Sequence, residues 1–226
     1  MCHRYIQTSD LGSLREGLAF SGTVNLRPRH NICPRQQVPV IYPSEAGNML
    51  KMMQWGLQPA PWRDALVTEI EIVERASESG RPSEDAAQVS LLQRCLIPAD
   101  GFYECEKRAG QNVQPWLVRL IEDGPFCFAG IWQPAISADA EGSGQCALLT
   151  VMDNGTIAPL AARVPVILAK QDYDAWLDPD TPIEQVRALL KPYRESGIYW
   201  HPVSPEILNS KDDQPSLAEP AQLIAA

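Results

Sequence analysis

The stretch Arg94-Cys95-Leu96-Ile97-Pro98-Ala99-Asp100-Gly101-Phe102-Tyr103-Glu104-Cys105-Glu106 carries β-prone and apolar residues on both sides of one Asp-Gly dipeptide. Asp-Gly is a turn signal, so the reading is strand, turn at Asp100-Gly101, and Glu104 near a strand end. Further β-like runs occupy residues 38–42, 50–56, 116–122, 126–132, 147–152 and 164–168, separated by turn residues. Pro39 predicts an edge position for the first of them. Helical spacing is scarcer. Ser9 is placed to cap a helix running to about Phe20, with Leu11, Leu14, Leu18 and Ala19 at three- and four-residue steps and Gly22 as the stop. Residues 171–177 and 182–191 predict two more short helices, 69–88 a loop with irregular helix, and 135–145 a hairpin tip. The Pro-rich tail from about residue 202 is expected along the surface. Together these predict an α+β fold: one domain over residues 1–226, in which mixed, mostly antiparallel sheets form a barrel-like core with a few short peripheral helices.

Size and composition agree with that frame. A chain of 226 residues that is 45% hydrophobic and 21% charged buries about 70% of its unfolded surface and builds a core without disulfides or metal. Its longest apolar runs fall far short of the ~20 residues of a spanning helix, so no membrane partner is expected. The net charge of −9 argues against an evenly basic nucleic-acid binder, although an average says nothing of a local patch. The densest positive segment is Arg27-Pro28-Arg29-His30-Asn31-Ile32-Cys33-Pro34-Arg35. It reads either as a phosphate-binding patch or as a solvated loop. Six cysteines without a CxxC pair, in a chain with no leader-like start, predict reduced thiols in a cytoplasmic protein. With three histidines in total, no metal site is expected, nor any cofactor.

Two residues stand out chemically. Removal of Met1 before the small Cys2 leaves a thiol and an α-amine on adjacent carbons, and the amine titrates near 7.7–8.0. That pair suits amine-assisted attack on an amide, or condensation with an aldehyde to an imine closed by sulfur to a thiazolidine; equally, Cys2 reads as an early residue of a first strand. Glu104, flanked by Phe102, Tyr103 and Cys105, reads as an acid/base group with a raised pKa, or as the partner of an arginine. Trp55, Pro59 and Trp62 bring aromatics to one loop, as base stacking or as core packing requires.

Taken together, these blocks resemble the SRAP (SOS response-associated peptidase) family, proteins that shield abasic sites in single-stranded DNA by covalent capture. Met1-Cys2-His3-Arg4-Tyr5 is similar to the family's opening Met-Cys-Gly-Arg-Phe. His30-Asn31-Ile32-Cys33-Pro34, Trp55-Gly56-Leu57 with Pro59, the stretch 94–104, Arg163-Val164-Pro165 and Trp200-His201-Pro202 follow in the family's order. The resemblance implies the SRAP fold and binding to single-stranded DNA bearing abasic sites; a monomer is expected. It also implies Cys2 and Glu104 as catalytic residues, with Arg4, Asn31, Trp55, Arg75 and Arg163 as DNA contacts. The peptidase label implies self-cleavage that exposes the cysteine.

Two departures bear on activity. The family's Asn-Ala-Arg block stands here as Val73-Glu74-Arg75, and its His-Asp-Arg-Met-Pro block as Ala161-Ala162-Arg163-Val164-Pro165. No asparagine lies between Asn48 and Asn112 and no histidine between His30 and His201, so a shift of register recovers neither. Loss of one general acid/base typically costs ~10²–10⁴ in rate. The expectations are therefore a divergent member that captures abasic DNA slowly, with His3 beside the nucleophile as proton carrier or bystander, or a homologue that only binds DNA or protein. An amidohydrolase with an N-terminal cysteine, such as a glutaminase, is a further alternative.

Overall fold

The computed structural model describes residues 4–57, 67–69, 93–107, 113–122, 124–134, 144–153, 155, 157 and 160–224. The predicted segments 70–88 and 135–143 lie outside these residues. Strands form two sheets. The first runs β13 (Ile198–Pro202), β8 (Val113–Leu120), β7 (Gly101–Lys107), β1 (Tyr5–Gln7), β2 (Arg29–Ile32). The second runs β11 (Arg163–Pro165), β10 (Gln145–Met152), β4 (Gly47–Trp55), β3 (Gln37–Ser44), β6 (Gln93–Ala99), β9 (Phe126–Gln133), β12 (Ile167–Leu168), with β5 (Val67–Glu69) beside β10. Because β9 also pairs with β10, strands β10, β4, β3, β6 and β9 close into a ring. Among the described residues, the strand pairings are antiparallel except those of β10 with β4 and β5. The α+β expectation with a barrel-like core holds.

The ring's side chains alternate between two cores, as period-2 strands require. Val38, Val40, Cys95, Ile97, Phe128 and Leu148 join Tyr5, Phe102 and Val118 of the five-stranded sheet. The intervening Ile41, Leu96, Ala129, Ile131 and Leu149 face the other way, onto Trp176 and Val186. These last two belong to short helices, α2 (Tyr173–Leu177) and α3 (Ile183–Leu189). Both faces of the ring are therefore buried, which is why its strands read as near-continuous apolar runs.

The run 94–106 divides into two strands that belong to different sheets. Asp100, between β6 and β7, is the crossover residue. Its carboxylate accepts from the backbone of Thr8 at 2.6 Å and Ser9 at 2.9 Å, and from the Ser9 hydroxyl. Its own amide donates to Ile6 at 2.9 Å. Gly101 follows because a Cβ there would stand 2.9 Å from the Val118 carbonyl.

Several expectations are corrected. The first helix, α1 (Leu11–Arg15), is shorter than predicted and is capped by Asp10, whose side chain accepts from Ser13; Ser9 is engaged with Asp100 instead. Strand β3 is interior, between β4 and β6. Its register with β6 is the single pair Ile41–Leu96, so Pro39 interrupts no ladder on that side. The run 164–168 is two short strands, β11 and β12. The tail is more than a surface strap: Val203, Ile207 and Leu217 are buried against Ile6, Tyr103 and Leu117. Among the described residues no helix is long and apolar enough to cross a membrane.

Candidate active site

Glu104 sits in the middle of β7, opposite Trp116 of β8. Strand alternation puts it on the same face as Phe102, which is in the core, and Glu106, which accepts from the Trp116 indole at 3.2 Å. The carboxyl is therefore held between the two sheets and is only 3% exposed. Burial pushes its pKa up to about 7, against a hydrogen bond from the Cys105 backbone that lowers it. An acid of that pKa is half ionised at neutral pH and can both donate and accept a proton. On the opposite face of β7, burial and the Glu104 charge push the Cys105 thiol up.

The N-terminal strand lies directly alongside. Tyr5 pairs with Phe102, and the Tyr103 amide donates to the Arg4 carbonyl at 3.0 Å. Arg4 is the first described residue. Its guanidinium donates to the Asn31 side chain, to Cys33 Sγ at 3.1 Å, and to the carbonyls of Leu208 at 3.0 Å and Ser210 at 3.1 Å. Asn31 in turn donates to the carbonyls of Ser210 at 3.1 Å and Asp212 at 2.7 Å.

The fold engages three of the expected DNA contacts with the protein itself. Asn31 is 3% exposed and spends its amide on the protein's own tail. Arg4 likewise directs its donors inward. Trp55 is 1% exposed and packs edge-on against Tyr5 at 5.3 Å. Arg163 differs. It lies half-buried on β11 at the end of the ring's sheet, held by Thr150 through Nε to the hydroxyl at 3.3 Å and Nη2 to the carbonyl at 2.9 Å. Ala161 packs as a half-buried methyl against the first core. Cys2, His3, Trp62, Val73 and Arg75 lie outside the described residues.

The sequence reading missed Asp213, whose carboxylate accepts from the backbone of His30 at 2.6 Å and Asn31 at 2.8 Å and from Arg29 at 2.9 Å. Its partners lie some 180 positions away, so no local pattern announces it. Tyr103, whose hydroxyl donates to the His30 carbonyl at 2.8 Å, was legible only as a flanking aromatic. Cysteines 33, 95, 105, 127 and 146 are free thiols. Among the described residues no group of three His, Cys, Asp or Glu side chains is placed to hold a metal ion.

Comparison with known proteins gives consistent relatives. The profile of the SOS response associated peptidase (SRAP) family matches residues 1–210. The abasic site processing protein YoqW of Bacillus subtilis (strain 168) is 29% identical, over 97% of this chain and 99% of its own. YoaM, an abasic site processing protein of the same organism, is 26% identical over 85% of each chain. The abasic site processing protein HMCES of Rattus norvegicus is 23% identical over 87% of this chain and 66% of its own. Among solved structures, a protein from Bacteroides thetaiotaomicron superposes with a TM-score of 0.80 at 18% identity, covering 98% of this chain and all of the other. One from Bordetella bronchiseptica superposes with a TM-score of 0.69 at 22% identity, covering 90% of this chain and all of the other.

Proposed function

The chain belongs to the SRAP family, and from that premise we propose that it captures abasic sites in single-stranded DNA covalently, through Cys2 freed of Met1. The observation that carries this reading is the buried Glu104, with its pKa near 7, on a strand that pairs with β1, just after Arg4. Cys2 is two residues before Arg4, so its Cα lies within about 7 Å of the Arg4 Cα by chain length alone. The relatives named as abasic site processing proteins supply the substrate class.

In the proposed reaction the neutral α-amine of Cys2 attacks the aldehyde carbon of the opened abasic sugar. The carbinolamine takes a proton from the Glu104 carboxylic acid and loses water, leaving a protonated imine. The Cys2 sulfur then adds to the imine carbon. The thiol proton passes to the Glu104 carboxylate, closing a thiazolidine whose nitrogen keeps its hydrogen and restoring the carboxylic acid. Arg163, which retains donor capacity beyond its bonds to Thr150, and Arg75 are proposed as phosphate contacts.

The binding-only reading draws on one observation: position 161 offers a methyl, so Glu104 has no histidine there to share proton transfer. One experiment separates the two readings. Protein with Met1 removed, verified by mass, is incubated with a single-stranded oligonucleotide carrying one abasic site. We expect an adduct that survives denaturation, accumulates over hours and is absent from Cys2→Ser. Salt-sensitive binding without any adduct would establish the binding-only reading and end the covalent one.

A further inference from the structure

The C-terminal tail closes on the strand that begins the chain. Asp213 takes the outward amides of His30 and Asn31 on β2, which is an edge strand, and pairs with the Arg29 side chain. Asn31 clasps the carbonyls of Ser210 and Asp212, and Arg4 clasps those of Leu208 and Ser210. Arg4 and Asn31 also bond to each other. Arg4 is thus fixed twice, through its carbonyl by the Tyr103 amide of β7 and through its guanidinium by the tail.

From this geometry we propose that residues 208–213 are a latch that holds the N-terminal segment against β7, with Asp213 and Asn31 as positioning residues for the chemistry of Cys2. The inference rests on the reading of Cys2 as nucleophile. It goes beyond that reading by naming what positions the segment that carries Cys2.

The physical case is one of transmitted slack. Remove the Asp213 carboxylate and two edge-strand amides and one guanidinium lose their acceptor together. The tail carbonyls that Asn31 and Arg4 grip are then free to drift. Two peptide units link Arg4 to Cys2, so play at Arg4 becomes play at the nucleophile, while the Cys2 thiol and amine themselves are untouched. A misplacement of 1 Å costs a reaction about 10²-fold; partial loosening costs less.

The test uses the full chain with Met1 removed, as wild type, Asp213→Ala, Asp213→Asn and Asp213→Glu. Three quantities are read: the rate of adduct formation across a range of abasic-DNA concentrations, the rate of thiazolidine formation with glyoxylate, and hydrogen exchange at the Tyr103 amide. Glyoxylate is a small aldehyde whose capture needs the aminothiol but no positioning. The expected result for Asp213→Ala is a maximal rate about tenfold lower, with the half-saturating DNA concentration and the glyoxylate rate unchanged and Tyr103 exchange accelerated. Asp213→Glu recovers most of the loss, and Asp213→Asn, which keeps an oxygen acceptor for the two amides but no charge for Arg29, shows a smaller loss in the same direction and stands in for Asp213→Ala should that variant fail to fold. An unchanged maximal rate overturns the latch, as does an equal loss with glyoxylate. Wild type that reacts with glyoxylate but never with abasic DNA sinks the proposed function alone. Tyr103 exchange then decides the latch: faster in the variants upholds it, unchanged overturns it.

Discussion

Glu104 shares a β-strand face with Phe102, and the same burial that suits it to the proposed proton transfer makes it a destabilising anion. Folding raises its pKa from the ordinary 4.5 to about 7, so the folded state holds the proton more tightly than the unfolded state. Stability linked to this group is therefore fully present below pH about 4.5 and lost as pH rises through 7, by about 3 kcal/mol. Glu104→Gln removes that slope: unfolding measured from pH 4 to pH 8 loses stability in the wild type, while the contribution is flat in the variant. Parallel curves would mean that the carboxyl is solvated in solution. The same variant lowers adduct formation by ~10²–10⁴, read from initial rates with abasic oligonucleotide. A raised pKa here was legible from the flanking Phe102, Tyr103 and Cys105. The inward commitment of Asn31 was not, because an asparagine in a basic loop looks the same whether its amide meets a phosphate or a distant carbonyl.

Among the elements, the passage from β6 to β7 organises the molecule. One residue, Asp100, turns the chain out of the ring and into the second sheet, and Gly101 lets β7 approach β8 closely enough to begin pairing at once. Gly101→Ala would place a Cβ at 2.9 Å from the Val118 carbonyl, with Arg119 Cγ and Leu117 Cδ1 at 3.1 and 3.2 Å. Crowding of this kind costs about 1–3 kcal/mol, so we expect a lower denaturation midpoint with the secondary structure kept. No change in midpoint would show that the strands part readily there. The Asp-Gly pair announced the turn, yet nothing local says that the strands on either side leave for different sheets. That choice belongs to partners far off in sequence: Tyr5 for Phe102 and Phe128 for Ile97. The short α1 follows the same logic, because Ser9, a good cap in isolation, is claimed by Asp100.

Across the whole molecule, a net charge of −9 opposes a polyanion, so proposed binding to single-stranded DNA depends on few cations and on low salt. Each phosphate contact in single-stranded DNA contributes about 0.7 to the slope of log K against log salt. Arg163→Ala is expected to flatten that slope by about that amount in titrations between 50 and 200 mM salt, whereas Arg29→Ala, whose cation is paired with Asp213, should leave it unchanged. A slope indifferent to Arg163 would remove it from the interface. By itself the sequence determined the strand-rich α+β class and the family, because β periodicity, turn chemistry and motif order are written in consecutive residues. Only the tertiary structure decided that the strands close into a ring and that Trp55 is core. It also decided that Arg4 and Asn31 are committed to the tail, and that Asp213 accepts from the edge strand β2. Hydrogen bonds between residues some 180 positions apart are set by how the folded chain packs, and no local pattern of charge or polarity encodes them.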